Sequence, residues 1–261
     1  MTIAQTPPGK PADVYFFATC VVDQFYPDAG MDAITLLERE GIRVHFPEDQ
    51  TCCGQPAYTS GFHDEARQVA AHQLTLFPED WPIVVPSGSC AGMMKHHYPT
   101  LFAADPVRKA QAERLSARVW EFTRFLVDVL DFKPQDCGSD CTVVLHTSCS
   151  ARREMGVHVS GRQLLGGLAQ VTVAQQDHES ECCGFGGTFS VKQPEISGAM
   201  VEDKVKSLKA TGAERVVSAD CGCLMNILGH AAWKDAQEGR PPTLPGEHIA
   251  TFLLRRTGGA K

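Results

Sequence analysis

The stretches DQTCCGQP (49–56) and ESECCGFGG (179–187) each carry two adjacent cysteines followed by a glycine. In both cases one cysteine lies upstream of the pair, and one or two lie downstream. The distance between matched cysteines is nearly constant, at 129, 130 and 133 residues for Cys20 and Cys149, Cys52 and Cys182, and Cys90 and Cys223. A near-constant offset across three landmarks indicates an internal duplication, and the duplication determines which fold to expect.

Both copies predict the same alternation of strands and helices. Short β-branched and aromatic runs predict the strands, and apolar residues at three-and-four spacing predict the helices. The predicted strands are 14–19, 43–47, 82–87, 142–148, 171–175 and 214–220, and the predicted helices are 31–41, 64–77, 161–170 and 195–212. This order is typical of a parallel sheet covered by helices, so we expect an α/β protein of two pseudo-symmetric Rossmann-like halves.

We expect the halves to form two domains, at 12–135 and 141–257. Residues 106–130 predict one long amphipathic helix near the end of the first domain, because their apolar residues recur every three or four positions. Residues 247–256 predict the matching helix of the second domain.

The composition and the net charge indicate which partners and which location to expect. The chain has 261 residues, of which 43% are hydrophobic, and a net charge of -7. This acidic balance argues against nucleic acid as a partner, because phosphate binding needs concentrated Lys and Arg. No apolar run approaches the roughly 18–20 residues that span a bilayer. The N-terminus lacks the features of a signal peptide, so we expect a cytoplasmic protein that does not span a membrane.

Nine of the 11 cysteines follow the repeated pattern, and each lies at or just after the end of a predicted strand. Ligands bind at that edge of open α/β sheets, so each half predicts a binding site there. The first cysteine set is Cys20, Cys52, Cys53 and Cys90, and the second cysteine set is Cys149, Cys182, Cys183, Cys221 and Cys223. Cys137 and Cys141 lie outside the pattern, and their roles stay open.

Three chemistries compete for these cysteines. Stable disulfides are disfavoured in a reducing compartment. Zinc needs four Cys or His ligands, and the count allows it in at least one half, although adjacent cysteines replace the usual short paired loops. An iron–sulfur cluster has several metal corners, so that adjacent thiolates bind different irons without competing for one centre.

The blocks ATCVVDQFYPDAG, TCCGQPAYTSG, PSGSCAGMMKHHYP, ECCGFGGTFSVK and DCGCLMNI resemble the cysteine-rich CCG domains. Such domains occur in the heterodisulfide reductases and in the iron–sulfur subunits of glycolate, glycerol-3-phosphate and lactate oxidation systems. The resemblance is strongest to the lactate utilization protein A family, whose members consist of two CCG domains, and it covers about 15–255.

The resemblance implies an iron–sulfur electron-transfer subunit of a cytoplasmic system that oxidises L-lactate to pyruvate. The implied partners are a second iron–sulfur protein and a third small subunit, and the implied cofactors are clusters of the 4Fe–4S type. We find no general base and no nicotinamide or flavin motif, so we assign no catalytic residue and do not expect the chain to be a complete enzyme. The alternatives are a cluster-based thiol–disulfide reductase and a zinc-bound scaffold.

The terminal motifs depart from the heterodisulfide reductase pattern, in which each motif ends in C-x-x-C and five cysteines hold a non-cubane cluster. The first half ends in SGSC (87–90), which leaves four thiols, and the second ends in DCGC (220–223), which gives five. A cluster is therefore expected above all in the second half, while the first half suits an ordinary cubane cluster or zinc.

Three further residues lie close to the second cysteine set in sequence. His146 either makes ordinary hydrogen bonds at a strand end or contacts a metal group as a ligand or a hydrogen-bond donor. Arg152 and Arg153 follow Cys149 and either stabilise thiolates or are simply solvated.

Overall fold

The computed structural model of the chain describes residues 9–259. The prediction that no signal peptide is present concerns in part residues 1–8, which lie outside the described residues. Two four-stranded sheets, in which all strands are parallel, are flanked by helices. Within the described part of the chain, no helix combines the length and the apolar character that crossing a membrane requires.

The first half contains four strands and a series of helices, two of which continue through short π-helical stretches. In chain order the elements are β1 (Asp13–Phe16), α1 (Cys20–Phe25), α2 (Pro27–Arg39), β2 (Arg43–His45), α3 (Gln55–Thr59), α4 (His63–Gln73), β3 (Ile83–Val85), α5 (Gly88–Gly92), a π-helical stretch (Met93–His97), α6 (Tyr98–Leu101), α7 (Pro106–Arg118), β4 (Val119–Glu121), α8 (Phe122–Arg124) and a second π-helical stretch (Phe125–Val129).

The second half repeats this order with fewer helices. Its elements are β5 (Cys141–His146), α9 (Cys149–Glu154), α10 (Val157–Gly166), β6 (Val171–Ala174), α11 (Phe189–Lys192), α12 (Pro194–Ala210), β7 (Arg215–Ser218), α13 (Cys221–Gln237), β8 (Gly246–His248) and α14 (Ile249–Arg256).

The strand order confirms the predicted duplication. The sheets run β2-β1-β3-β4 and β6-β5-β7-β8, so each strand has a counterpart at the same place in the other sheet. The registers also match, because Val14 pairs with Val44 in the first sheet and Val143 with Val173 in the second. The fold is therefore a duplicated α/β fold with two Rossmann-like halves, whereas the domain bounds at 12–135 and 141–257 stay a prediction.

The prediction of one long helix over 106–130 is wrong. Helix α7 ends at Arg118, and Val119–Glu121 forms β4, the fourth strand of the first sheet. The β-branched and aromatic side chains of β4 are buried beside β3. Glu121 accepts a hydrogen bond from the backbone N–H of Arg124 and so caps the start of the next helix, α8. The apolar spacing continues through this break because the elements on both sides of it are buried, so periodicity alone does not reveal the strand.

The predicted helix at 247–256 also begins later than expected. Its first two residues belong to β8, which pairs with β7, and α14 starts at Ile249. The ring of His248 accepts a hydrogen bond from the N–H of Ala250 at 3.1 Å and so caps the helix.

One hydrophobic core joins the two halves. Helix α2 of the first half packs on α14 of the second, and both sheets contribute side chains to the same buried cluster. Phe16 and Leu36 enter it from the first half, and Leu145 and Phe252 from the second. Because this core is shared, each half relies on the other to bury its apolar surface.

A second contact between the halves lies next to the first cysteine set. Helix α5 packs on α9, where a Cβ added at Gly88 would overlap the Cβ of Ala151 and lie 3.1 Å from Val157. A ring nitrogen of His96 donates to the carbonyl of Glu154 at 3.1 Å. The helix that carries Cys90 thus depends on close approach to the second half.

Gly88→Ala is expected to lower the free energy of unfolding by about 1–3 kcal/mol, because the added methyl group overpacks the α5–α9 contact. Gly198→Ala is the matched control, since Gly198 lies inside α12 with nothing within 4 Å of an added Cβ. There the loss of backbone entropy in the unfolded chain is expected to stabilise by about 0.5–1 kcal/mol. Urea unfolding of both variants measures the difference, and equal effects would contradict the packing argument.

Candidate metal centres

The carboxyl ends of the strands position all cysteines of the repeated pattern. Cys20 begins α1 directly after β1, and Cys149 begins α9 directly after β5. The adjacent pairs lie in the loops after β2 and β6, while the terminal cysteines lie in α5 and α13 after β3 and β7. Three loops of each half thus meet at one edge of its sheet, as the sequence predicts.

The four thiols of the first cysteine set form a chain. Cys20 interacts with Cys52, and Cys53 interacts with both Cys52 and Cys90, so that the pKa of each thiol depends on its neighbours. Cys53 is buried, while the other three are partly buried. Cys20 and Cys90 also interact electrostatically, so the four thiols lie close together at the sheet edge.

Four thiols of the second cysteine set form the same chain. Cys149 interacts with Cys182, Cys182 with Cys183, and Cys183 with Cys223, and each interaction shifts the pKa of the thiols concerned. Cys183 and Cys223 are buried, and Cys149 and Cys182 are partly buried. Each half therefore brings together one thiol after its first strand, the adjacent pair and one terminal thiol.

The glycine after each pair has a structural reason. Gly54 and Gly184 adopt φ of 85° and 83°, which side-chain-bearing residues rarely adopt. This conformation directs the N–H of Gly54 to Cys52 Sγ at 3.4 Å, and the N–H of Gly184 to Cys182 Sγ at 3.3 Å. The first sulfur of each pair therefore accepts a backbone hydrogen bond, which stabilises it as a thiolate.

A side chain from another element holds the second cysteine of each pair. The hydroxyl of Tyr98 donates to the carbonyl of Cys53 at 2.9 Å, and the amide of Asn226 donates to the carbonyl of Cys183 at 2.8 Å. The sequence analysis missed both anchors. They lie 45 and 43 residues from their partners, and only their place after the terminal cysteines gives a signal.

The electrostatics of the thiols favour a bound cation. The hydrogen bond with Cys52 and burial raise the pKa of Cys20, and the hydrogen bonds of Cys20 and Cys53 lower the pKa of Cys52 to about 3. The hydrogen bond with Cys182 and burial likewise raise the pKa of Cys149. Several thiolates at hydrogen-bond distance repel each other, so all of them ionise together only when a metal supplies positive charge. The donor sets therefore fit a metal group.

Cys221 lies apart from the other four thiols of its set. Burial is the largest of the causes that raise the pKa of Cys221. The charge of Asp220 and the interaction with Cys90 of the first half raise it further. It packs in a small cluster with Val22 and Ala29. Cys221 and Cys223 are two positions apart on α13, which places them on different sides of the helix.

His146 is the most unusual polar side chain near the second cysteine set. It is fully buried, and among the described residues neither ring nitrogen has a hydrogen-bond partner. Burial and the charge of Lys204 lower its pKa to about 3, so the ring is neutral. One ring nitrogen and the sulfurs of Cys183 and Cys223 lie within 4.8 Å of one another.

The cations near the second set are only partly as predicted. Arg152 is engaged by Glu179, which accepts a hydrogen bond from it at 3.0 Å, whereas the charge of Arg153 acts on Cys149. Lys204, which the sequence analysis missed, donates to the carbonyl of His178 at 2.8 Å and interacts electrostatically with the adjacent thiols.

Two buried carboxyl groups lie near the contact between the halves. Asp220 accepts hydrogen bonds from Ser87 at 3.0 Å and from the N–H of Ser89 at 3.1 Å, so it joins the two terminal motifs. Burial raises its pKa. Burial also raises the pKa of Glu121 to about 7, although Thr123 donates a hydrogen bond to it at 2.5 Å.

The two remaining cysteines lie elsewhere. Cys141 begins β5, at the opposite end of that strand from Cys149, and Arg256 approaches its sulfur at 3.7 Å. Cys137 is exposed. All 11 cysteines are free thiols.

Comparison with known proteins places this geometry in a family. Residues 14–95 and 143–228 each match the cysteine-rich domain family CCG. The chain is 44% identical over 243 residues to lactate utilization protein A of Shouchella clausii (strain KSM-K16), which covers 92% of this chain and 98% of that protein. It is 44% identical over 251 residues to lactate utilization protein A 1 of Bacillus mycoides (strain KBAB4), with 94% and 99% covered. The chain belongs to the lactate utilization protein A family.

A solved structure shares the fold. A hypothetical protein from Helicobacter pylori superposes with a TM-score of 0.68 at 11% identity, over 99% of this chain and 51% of that one. At this identity the likeness concerns the fold alone.

Cys221→Ser is expected to keep the metal bound in the second half, because Cys221 does not belong to the chain of four thiols. Cys223→Ser is the matched variant and is expected to lose that metal, because it removes the terminal thiol. Elemental analysis of the two purified proteins, with metal expressed per chain, distinguishes them. Equal losses would contradict the placement of Cys221.

Glu121→Gln is expected to relieve a pH-dependent destabilisation. Because the folded-state pKa of about 7 exceeds the ordinary value of 4.5, the stability that protonated Glu121 contributes is fully present below pH 4.5 and is lost as the pH rises through 7. The glutamine keeps an acceptor for Arg124 and carries no charge. The variant should therefore gain on the order of 2–3 kcal/mol relative to the wild type between pH 4.5 and pH 8.

Urea unfolding of both proteins at the two pH values, at equal metal loading, measures this change. Glu113→Gln on the exposed side of α7 is the control for removing a surface carboxylate, and it is expected to change the free energy of unfolding by about 0.5 kcal/mol or less. A difference at position 121 that is the same at both pH values would contradict the assignment.

Proposed function

We propose that this protein is an iron–sulfur electron-transfer subunit of a multi-component system that oxidises L-lactate to pyruvate. The observation that carries the proposal is that each half gathers four thiols at one sheet edge, while no three thiols of the described residues lie within 4.8 Å of one another. Sulfur ligands of one tetrahedral zinc ion lie close to one another, because each Zn–S bond is about 2.3 Å long. Within residues 9–259, three thiols that are mutually within 4.8 Å do not occur. A group with several metal corners suits this spread.

The first site would be held by Cys20, Cys52, Cys53 and Cys90, and the second by Cys149, Cys182, Cys183 and Cys223. When bound, a 4Fe–4S cluster supplies one-electron chemistry. The chain contributes thiolates, backbone N–H groups directed at two of the sulfurs, and a largely apolar surrounding. Hydrogen bonds to sulfur and burial are the means by which a protein sets the potential of such a cluster.

The halves place the two sites close enough to influence each other. Cys90 of the first site interacts electrostatically with Cys221, which belongs to α13 together with Cys223. The loops after the two cysteine pairs also touch, since Ser60 and Thr188 hydrogen-bond through their hydroxyl groups. This arrangement supports electron transfer from one site to the other within the chain.

Lactate oxidation itself is assigned to a partner protein. The reaction releases two electrons and two protons, and it needs a base and a cation for the carboxylate. A cavity of about 350 Å³ near the second site, lined by Phe185, Asn226, His230 and Trp233 among others, has no Lys or Arg in its lining. A second cavity, of about 450 Å³, contains Lys204 and Lys206, but three carboxylates, Asp177, Glu181 and Asp203, line it as well and oppose the binding of an anion. The electrons would then reach this chain from a second iron–sulfur protein, with a third small subunit completing the cytoplasmic system.

The names of the relatives support lactate as the substrate of the system, since both are called lactate utilization proteins. A zinc-bound scaffold is the second candidate. The compact group of His146, Cys183 and Cys223 favours it, because three donors within 4.8 Å of one another fit one tetrahedral ion.

Iron, sulfide and zinc content of the anaerobically purified chain, with EPR spectra before and after dithionite, tests the proposal. We expect iron and sulfide in similar amounts and a signal that changes on reduction. Zinc without acid-labile sulfide, even after anaerobic reconstitution, would rule out the electron-transfer role and leave the scaffold.

Single substitutions then assign the signals to the halves. Cys90→Ala is expected to remove the contribution of the first site only, and Cys223→Ala that of the second site only. Cys137→Ala is the matched control, because that thiol is exposed and outside the pattern, and it should leave both contributions unchanged. Loss of both signals in Cys137→Ala would show that the signals do not report on the two sites.

A further inference from the structure

The second half has a buried imidazole without a partner at its metal centre. A neutral histidine has one N–H donor and one nitrogen lone pair, and leaving either unsatisfied in the interior is unfavourable. Within the described part of the chain, both nitrogens of His146 are in that state. The ring is held there by β5, whose backbone pairs with β7 on one side.

The surroundings of His146 show what it would contact. One of its nitrogens lies within 4.8 Å of the sulfurs of both Cys183 and Cys223, and all three residues are buried. Within residues 9–259, this is the one group of three His, Cys, Asp or Glu ligand atoms that all lie within 4.8 Å of one another. A neutral imidazole and thiolates are ligands that iron and zinc both accept.

The first half differs at the matching position. The strand registers align β1 with β5, so that Phe17 corresponds to His146 as Cys20 corresponds to Cys149. Phe17 is also fully buried. Both halves therefore bury a ring at this position. The ring of the first half is apolar, whereas that of the second half can bind a metal.

We propose that His146 supplies a nitrogen ligand to the metal group held by Cys183 and Cys223. The second site is then a mixed thiolate–imidazole centre, and the first site is held by thiolates only. This inference rests on the proposed function, since it takes the second site to hold an iron–sulfur cluster.

The asymmetry would set the surroundings of the two sites apart. A neutral nitrogen adds no negative charge to the second site, and the positive charge of Lys204 lies near Cys182 and Cys183. Both differences are of the kind by which a protein tunes the potential of a cluster.

Pulsed EPR of the reduced, anaerobically purified protein labelled with ¹⁵N-histidine tests the ligand directly. We expect a strong nitrogen hyperfine coupling in the wild type. His146→Cys is expected to keep its metal, lose the coupling and shift the potential of the second site downwards, because it replaces the nitrogen with a thiolate. His146→Phe, which copies the first half, is expected to lose the coupling together with part of the metal of the second site.

Two control variants make the result specific. Phe17→Leu alters the matching position of the first half and should leave the coupling unchanged. His158→Gln removes a different histidine of the same half and should also leave it unchanged. A wild-type protein that holds iron and sulfide but shows no strong nitrogen coupling, and whose potential stays the same in His146→Cys, would overturn the inference.

That outcome is distinct from failure of the proposed function, which appears as zinc without sulfide. In that case X-ray absorption at the zinc edge decides the ligand. Nitrogen scattering in the wild type that disappears in His146→Cys would support the assignment of His146, and scattering from sulfur alone would overturn it.

Discussion

The structure depends on the short peptide that joins two adjacent cysteines in each half. Adjacent side chains normally diverge, so both sulfurs reach one sheet edge only if the backbone bends sharply after them. Gly54 and Gly184 provide that bend with positive φ, and Tyr98 and Asn226 hold the carbonyl groups of the pairs. The first thiol of each pair then interacts with the cysteine that begins α1 or α9. The second thiol interacts with the terminal cysteine in α5 or α13.

The duplicated fold supplies this arrangement twice, and the differences between the halves determine their chemistry. Parallel strands in matched registers bring equivalent loops to equivalent edges. Within this frame Phe17 corresponds to His146, and only the second half places a buried lysine, Lys204, beside its thiols. Two sites built from the same loops therefore have different electrostatic surroundings.

The sequence predicts the halves and most of the thiol contacts, because strand periodicity and the cysteine offsets are local signals. It does not reveal β4 and β8, because each strand runs directly into a helix, α8 or α14, with no turn residues to mark the boundary. The anchors Tyr98 and Asn226 depend on contacts across more than 40 residues. Cys221 is grouped with Cys223 in the sequence, but once α13 is known to begin at Cys221, helix geometry separates them.

The contact between the halves is where these features meet. Asp220 occupies the start of the second terminal motif and accepts hydrogen bonds from Ser87 and Ser89 of the first. Both donors reach Oδ1, and they tie the two motifs to one relative position, whereas Oδ2 has no hydrogen-bond partner among the described residues. The same contact places Cys221 under the electrostatic influence of Cys90. Because hydrogen bonds link the cysteine-bearing helices α5 and α13, a change of charge at one site would alter the electrostatic potential at the other. No movement of the sheets is needed for this effect.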